Sequence, residues 1–321
     1  MNVLTPNPNR FSLFPLKPEH KLFYDAFKQH QSTYWTTEEI DFSEERRDYE
    51  SCLSVTEQNW LKKVLSFFAV GDGIVNENIH MNFAEEVQVP EARCFYCIQE
   101  LIETIHMECY GRMIESIVDK DEQHKLAQAI HNEPFIARKA EWATQWFYRD
   151  RPFQERLVAF MVVEGIHFSA SFASIFFLRK SKPGKFPGIT FANELISRDE
   201  ALHCSFAILL LKHGGLDLPE ESVIYDIVRS GVDVEKDFVK NCLHVPLIGM
   251  SDEKMCEYVE FTADFWLVKL GCAKLYNTKN PFEFMNHISL SNKSNFFEKR
   301  VAEYTTGQVN KSEQLTFDDE F

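Results

Sequence analysis

Glu103-Thr-Ile-His106-Met-Glu-Cys-Tyr110 sets a carboxylate, an imidazole and a phenol at steps of three and four residues, and Glu200-Ala-Leu-His203 repeats its first half. On a helix, residues three and four apart share one face, so each Glu-x-x-His presents two ligand-type groups together. A four-helix bundle that holds two iron or manganese ions needs two such motifs, plus one carboxylate from each of two further helices. Asp72 and Glu164 are the candidates for those single carboxylates.

The surrounding periodicity is helical nearly throughout, with only short strand-like stretches. A helix is expected to open after Pro90 and run to about Asp119, with Tyr96, Glu103, His106, Tyr110, Met113 and Ile117 on one stripe. Three more stripes repeat the pattern: Phe68, Asp72, Val75 and Ile79; Leu157, Met161, Glu164, Phe168 and Ile175; Ile196, Glu200, His203, Ala207 and Leu210. Each apolar face thus carries acidic groups. Buried carboxylates facing one another are untenable unless cations neutralise them, which is the physical case for a dinuclear metal site. The expected fold is all-α, a ferritin-like helical bundle with additional helices and that site in its core.

Chance would place roughly 1.7 acidic residues three positions before a histidine in a chain of this composition, and five are present. Glu77 before His80 points off the apolar stripe and reads as a solvated or interface pair. Asp121 before His124 lies in what reads as a charged turn. His167, three after Glu164, is either a third imidazole ligand or a satisfied core histidine; the bundle template, with two imidazoles, favours the core. Tyr110 is either a core tyrosine with a bonded hydroxyl or the oxidisable group nearest the metals. Cys94-Phe-Tyr-Cys97 stands without a second pair and reads as two buried thiols one turn apart rather than a zinc or redox site.

Composition narrows the function classes. The chain has 321 residues and a net charge of -15, which opposes direct binding of nucleic acid. No Gly-x-Gly-x-x-Gly, phosphate loop or basic nucleotide patch is visible. Pro6, Pro8, Pro15 and Pro18 interrupt the first twenty residues, so no secretory signal is expected there. Eight cysteines without a disulfide framework suit a reducing, cytoplasmic setting. The apolar stretch from Val158 to Leu178 could span a bilayer by length, but Glu164 near its centre would cost about 2.5 kcal/mol or more in lipid. No membrane association is expected. From Thr305 the sequence turns polar and ends Phe-Asp-Asp-Glu-Phe321, either a fraying end or an acidic docking tail with an aromatic anchor.

Longer stretches add a resemblance. Tyr34-Trp-Thr-Thr-Glu-Glu-Ile-Asp41, Phe67-Phe-Ala-Val-Gly-Asp-Gly-Ile-Val-Asn-Glu-Asn78, Glu86-Val-Gln-Val-Pro-Glu-Ala-Arg-Cys-Phe-Tyr96 and Pro187-Gly-Ile-Thr-Phe-Ala-Asn-Glu-Leu-Ile-Ser-Arg-Asp-Glu-Ala-Leu-His203 carry it, with Asn280-Pro-Phe-Glu-Phe and Asn295-Phe-Phe-Glu-Lys-Arg-Val301 near the end. Over nearly its whole length the chain resembles the small, radical-generating subunit of class I ribonucleotide reductase, of the eukaryotic and large-virus type. The resemblance implies two iron ions, or manganese in their place. Asp72, Glu103 and His106 would hold one; Glu164, Glu200 and His203 the other, with a bridging carboxylate. It implies a stable radical on Tyr110 formed with molecular oxygen and a reductant, a pocket of Phe168, Phe172 and Ile196, and a relay through Trp35 and Asp199 to Tyr304. A homodimer is implied, with residues 1–303 as one helical domain and 304–321 as a flexible tail. Phe317, Asp318, Asp319, Glu320 and Phe321 of that tail would dock on the large subunit, where ribonucleotides are reduced.

Three positions depart from the family pattern: His167 stands for phenylalanine or arginine, Cys97 for a common glycine and Gly71 for a common serine. The N-terminal extension of many cellular members has no counterpart, so regulation through it is not expected. A free-standing dinuclear oxidase is the alternative the bundle alone would permit, and a metal-storage protein a more distant one.

Overall fold

A computed structural model describes residues 2–243, 249–282 and 284–285, and among them every regular element is helical. The longer helices are α1 (Lys21–Gln31), α2 (Glu45–Cys52), α3 (Val55–Asn78), α4 (Pro90–Ile117), α5 (Pro134–Thr144), α6 (Phe153–Val162), α7 (Ser169–Ser181), α8 (Pro187–His213), α9 (Glu221–Phe238) and α10 (Asp252–Leu270).

Local chemistry marks their ends. Ser54 caps α3 in a reciprocal box: its hydroxyl accepts from Glu57 N at 3.3 Å, and the Glu57 carboxylate accepts from Ser54 N at 2.7 Å. Pro90 and Pro187 open α4 and α8 at positions where the missing N–H is not needed. Gly188 is required by a close approach, because a Cβ there would lie 2.5 Å from the Asp41 carbonyl oxygen. The start of α8 is held by α2, whose Asp48 and Glu45 carboxylates accept from Phe186 N at 3.0 Å and Ile189 N at 2.8 Å.

α3 packs along α4, and α6 along α8, so four rods surround one core. α1 lies across α4 and α8, while α9 covers α6.

The apolar stretch from Val158 to Leu178 is helical, with a π segment, Val163–His167, between α6 and α7. The extra residue per turn shifts the stripe there, and Glu164 sits inside it. Asp121 and His124 belong to a short exposed helix, Lys120–Leu126, rather than a turn, because Asp119 accepts from Glu122 N and caps it. Cys97 is exposed and Cys94 half-buried, so these are not two buried thiols: the Cys97 side of α4 faces outward.

Phe153–Ser181 is long and apolar enough to cross a membrane, yet 89% of its most apolar window is buried inside the bundle.

Candidate metal centre

Asp72 comes from α3, Glu103 and His106 from α4, Glu164 from the π segment, and Glu200 and His203 from α8. They form two groups, Asp72–Glu103–His106–Glu200 and Glu103–Glu164–Glu200–His203, within each of which the ligand atoms lie within 4.8 Å of one another. Glu103 and Glu200 belong to both groups, so either carboxylate can reach both halves. His106 Nδ1 lies 3.4 Å from Asp72 Oδ2, 3.4 Å from Glu103 Oε2 and 3.1 Å from Glu200 Oε1. His203 Nδ1 lies 2.9 Å from Glu103 Oε1, 3.2 Å from Glu164 Oε2 and 3.7 Å from Glu200 Oε2.

These atoms face one another without hydrogen bonds. Both oxygens of Asp72, Glu103 and Glu200, Glu164 Oε2, His106 Nδ1 and His203 Nδ1 are buried and have no hydrogen-bond partner. Lone pairs spaced about 3 Å apart are the edges of a shell whose centre lies about 2.1 Å from each, the bond length of a small divalent ion to oxygen or nitrogen. Four carboxylates also balance two divalent charges, and a carboxylate-rich set with imidazoles suits iron or manganese. The residues therefore fit a dinuclear centre.

Burial pushes the Asp72 and Glu164 carboxyls well up, the like charge of Glu200 and Glu103 adding to it. Glu103 goes the other way against its own burial, because it lies between the imidazoles of His203 and His106. Without ions, protons on the imidazoles are the available positive charge: burial disfavours them, but the facing carboxylates, Asp199 and Asp72 at His106 and Glu103 and Glu164 at His203, outweigh it and raise both pKa values well above the usual imidazole range.

Asp199 orients the first imidazole. Its Oδ2 lies 3.3 Å from His106 Nε2 and accepts from Trp35 Nε1 at 2.7 Å. Its Oδ1 accepts from Arg198 Nε at 3.1 Å and Nη2 at 2.8 Å. Arg198 overcomes burial and holds Asp199 below the usual carboxylate range. A carboxylate on Nε2 leaves the Nδ1 lone pair of His106 free to bind metal. Trp35 also stacks on the His106 ring at 6.0 Å.

Tyr110 lies one turn beyond His106. Its hydroxyl has no hydrogen-bond partner, contrary to the reading of a core tyrosine with a bonded hydroxyl. Burial, with Asp72 and Glu200 next in effect, raises its pKa, so the phenol is neutral. Phe68 stacks on it, with Phe172 4.9 Å and Phe168 5.9 Å from Phe68; Ile196 is buried in the same core.

His167 is a core histidine: Nε2 donates to the Gly231 carbonyl oxygen at 3.1 Å, and the residue belongs to neither ligand group. Glu77 and His80 are exposed. Tyr304 and the tail residues Phe317, Asp318, Asp319, Glu320 and Phe321 lie outside the described residues.

Spacing misses three neighbours of the centre. Gln99 Nε2 donates to Glu164 Oε1 at 2.9 Å. Phe68 is the ring nearest Tyr110 rather than just a stripe residue. His30 Nε2 lies 2.9 Å from His203 Nε2, and burial, then His203, lowers its pKa to about 3. His30 has no acidic residue three before it; its one signal is the seven-residue step from buried Phe23 on α1.

A helical bundle with convergent carboxylates and two imidazoles in its core defines the class of dinuclear-metal bundle proteins. Comparison narrows the class. The ribonucleotide reductase, small chain, family matches residues 10–281. The ribonucleoside-diphosphate reductase small chain of Vaccinia virus (strain Ankara) is 47% identical over 98% of this chain and 97% of that protein. A ribonucleoside-diphosphate reductase small chain of Arabidopsis thaliana is 45% identical over 97% of this chain and 92% of that protein. Among solved structures, the ribonucleotide reductase Rnr4 homodimer from Saccharomyces cerevisiae matches with a TM-score of 0.81 and 33% identity over 88% of each chain. The chain belongs to the ribonucleotide reductase small-chain family. Its function is that of the small chain of ribonucleoside-diphosphate reductase, an oxidoreductase whose small chain implies a large partner.

Proposed function

We propose that this small chain houses two iron ions and generates a radical on Tyr110 that is passed to the large subunit for reduction of ribonucleotides. The observation that carries the reading is the convergence of unpartnered carboxylate oxygens and imidazole nitrogens beside an unbonded phenol. Asp72, Glu103 and His106 would hold one ion and Glu164, Glu200 and His203 the other, with Glu103 and Glu200 able to span both. When bound, the ions supply oxygen-dependent one-electron oxidation; manganese could serve in place of iron.

The chain's own residues do the rest. Tyr110 loses an electron together with its phenolic proton, since burial disfavours every charged form. Phe68, Phe168 and Phe172 exclude water and offer no easily oxidised group. Trp35, Asp199 and His106 form a hydrogen-bonded line along which a proton can shift as an electron passes. Tyr304 would extend that route, and Phe317, Asp318, Asp319, Glu320 and Phe321 would dock on the large subunit as part of a tail, 304–321, that follows a helical domain, 1–303. A homodimer is the expected assembly, as in the yeast relative. Eight cysteines without a disulfide favour the cytoplasm.

Anaerobic loading with ferrous iron followed by oxygen and a reductant should give the EPR signal of a tyrosyl radical, absent in Tyr110→Phe; the same signal in that variant would sink the assignment. Deleting Gln314 to Phe321 should abolish reductase activity with the large subunit but leave the radical intact. Undiminished reductase activity would instead favour a free-standing oxidase.

A further inference from the structure

The two ligand imidazoles are supported differently. Each turns Nδ1 toward the carboxylates and Nε2 outward. His106 Nε2 meets Asp199, an anion neutralised by Arg198. His203 Nε2 meets the Nε2 of another imidazole, His30, at 2.9 Å. His30 is fully buried on α1, its ring 5.0 Å from that of His203 and 5.4 Å from that of Phe95, and its Nδ1 has no partner.

The chemistry of ligation settles the direction of this hydrogen bond. An imidazole that gives its Nδ1 lone pair to a cation carries its remaining proton on Nε2, which must donate. Two N–H groups cannot face each other at that distance, so His30 Nε2 accepts and its own proton sits on Nδ1. The two rings lock each other's tautomers in series.

We propose that His30 is the positioning residue for His203, and that its neutral acceptor, set against the carboxylate behind His106, makes the Glu164–Glu200–His203 half of the centre the weaker metal subsite. A carboxylate acceptor raises the basicity of the imidazole that donates to it more than a neutral nitrogen does. His106 is therefore the stronger donor, and the half it serves fills first and empties last. The inference rests on the reading of the six groups as a dinuclear centre.

Full-length, metal-free protein titrated with manganese, following free ion by EPR, tests it. Wild type should bind two ions per chain in two unequal steps. His30→Leu, which removes the acceptor at similar volume, should weaken the second step by about 10–100-fold and leave the first unchanged. His30→Gln, whose side-chain oxygen can accept the same proton, should return the second step to near wild type. Unchanged binding in folded His30→Leu, or a loss confined to the first step, would overturn the proposal. A wild type that binds fewer than two ions would instead overturn the dinuclear reading beneath it. Should His30→Leu not fold, nitrogen NMR of zinc-loaded wild type decides: coupling across the hydrogen bond between the two Nε2 atoms supports the proposal, and its absence overturns it.

Discussion

Phe68 and Tyr110 lie face to face, ring centroids 4.8 Å apart and planes inclined by 10°, and the buried Tyr110 hydroxyl has no hydrogen-bond partner among the described protein groups. A buried, unsatisfied hydroxyl costs about 1–3 kcal/mol. Tyr110→Phe should therefore raise the melting temperature of the metal-free protein, by a free energy of about 1 kcal/mol or more. Thermal denaturation checks this, and a lower melting temperature would mean that the hydroxyl has a stabilising partner.

The same logic applies to the unpartnered carboxylate oxygens of the centre. Two divalent ions would neutralise Asp72, Glu103, Glu164 and Glu200, so loading should raise the melting temperature and a chelator should reverse it. Glu164→Gln removes a ligand oxygen that can carry charge. Because burial already favours the protonated form of Glu164, the variant should leave the melting temperature of the metal-free protein near wild type while lowering metal stoichiometry from two ions toward one, as read by metal analysis.

Trp35→Phe keeps a ring against His106 but removes the indole N–H that Asp199 accepts at 2.7 Å. Radical formation on Tyr110 should persist, while reductase activity with the large subunit should fall by at least about 100-fold, the lower range for loss of a proton-transfer group. Parallel EPR and turnover measurements separate the two effects; equal loss of both would place Trp35 in radical formation instead.

Gly71 faces Phe168 so closely that a Cβ would lie 2.5 Å from its Cε1. Gly71→Ser must displace that ring, at about 1–3 kcal/mol for overpacking. The displaced Phe168 would also disturb the rings around Tyr110, so a shortened radical lifetime should accompany the lower melting temperature.

Away from the centre, Lys139 pairs with Glu235 at 2.6 Å, and its ammonium lies over the rings of Phe67 and Phe238. Burial raises Glu235 from 4.5 to about 7 and lowers Lys139 to about 8. Between pH 4.5 and about 7 the folded chain keeps a proton on Glu235 that the unfolded chain has lost. Its contribution to stability is thus full below pH 4.5 and is lost as pH rises through about 7. Melting temperatures followed across that range should fall in wild type and lack this fall in Glu235→Gln. An identical pH dependence would exclude Glu235 as its source.

The helical class, the four acidic stripes and both Glu-x-x-His pairs were readable along the chain because helical spacing fixes which residues share a face. His167 illustrates the limit of that rule. Its three-residue step from Glu164 imitates the motif, but the π segment turns it toward Gly231. Cys97 illustrates another: local periodicity does not say which face of a helix is covered by a neighbour.

Residue chemistry and spacing therefore settled the bundle, the six ligand-type groups and the phenol beside them, since these follow from local geometry and the cost of burying charge. Packing between rods decided that Glu103 and Glu200 reach both imidazoles, that Phe68 covers Tyr110, and that His30 backs His203 across 173 positions of sequence. Such contacts join distant segments, and their partners are chosen by how side chains interlock rather than by any repeat along the backbone.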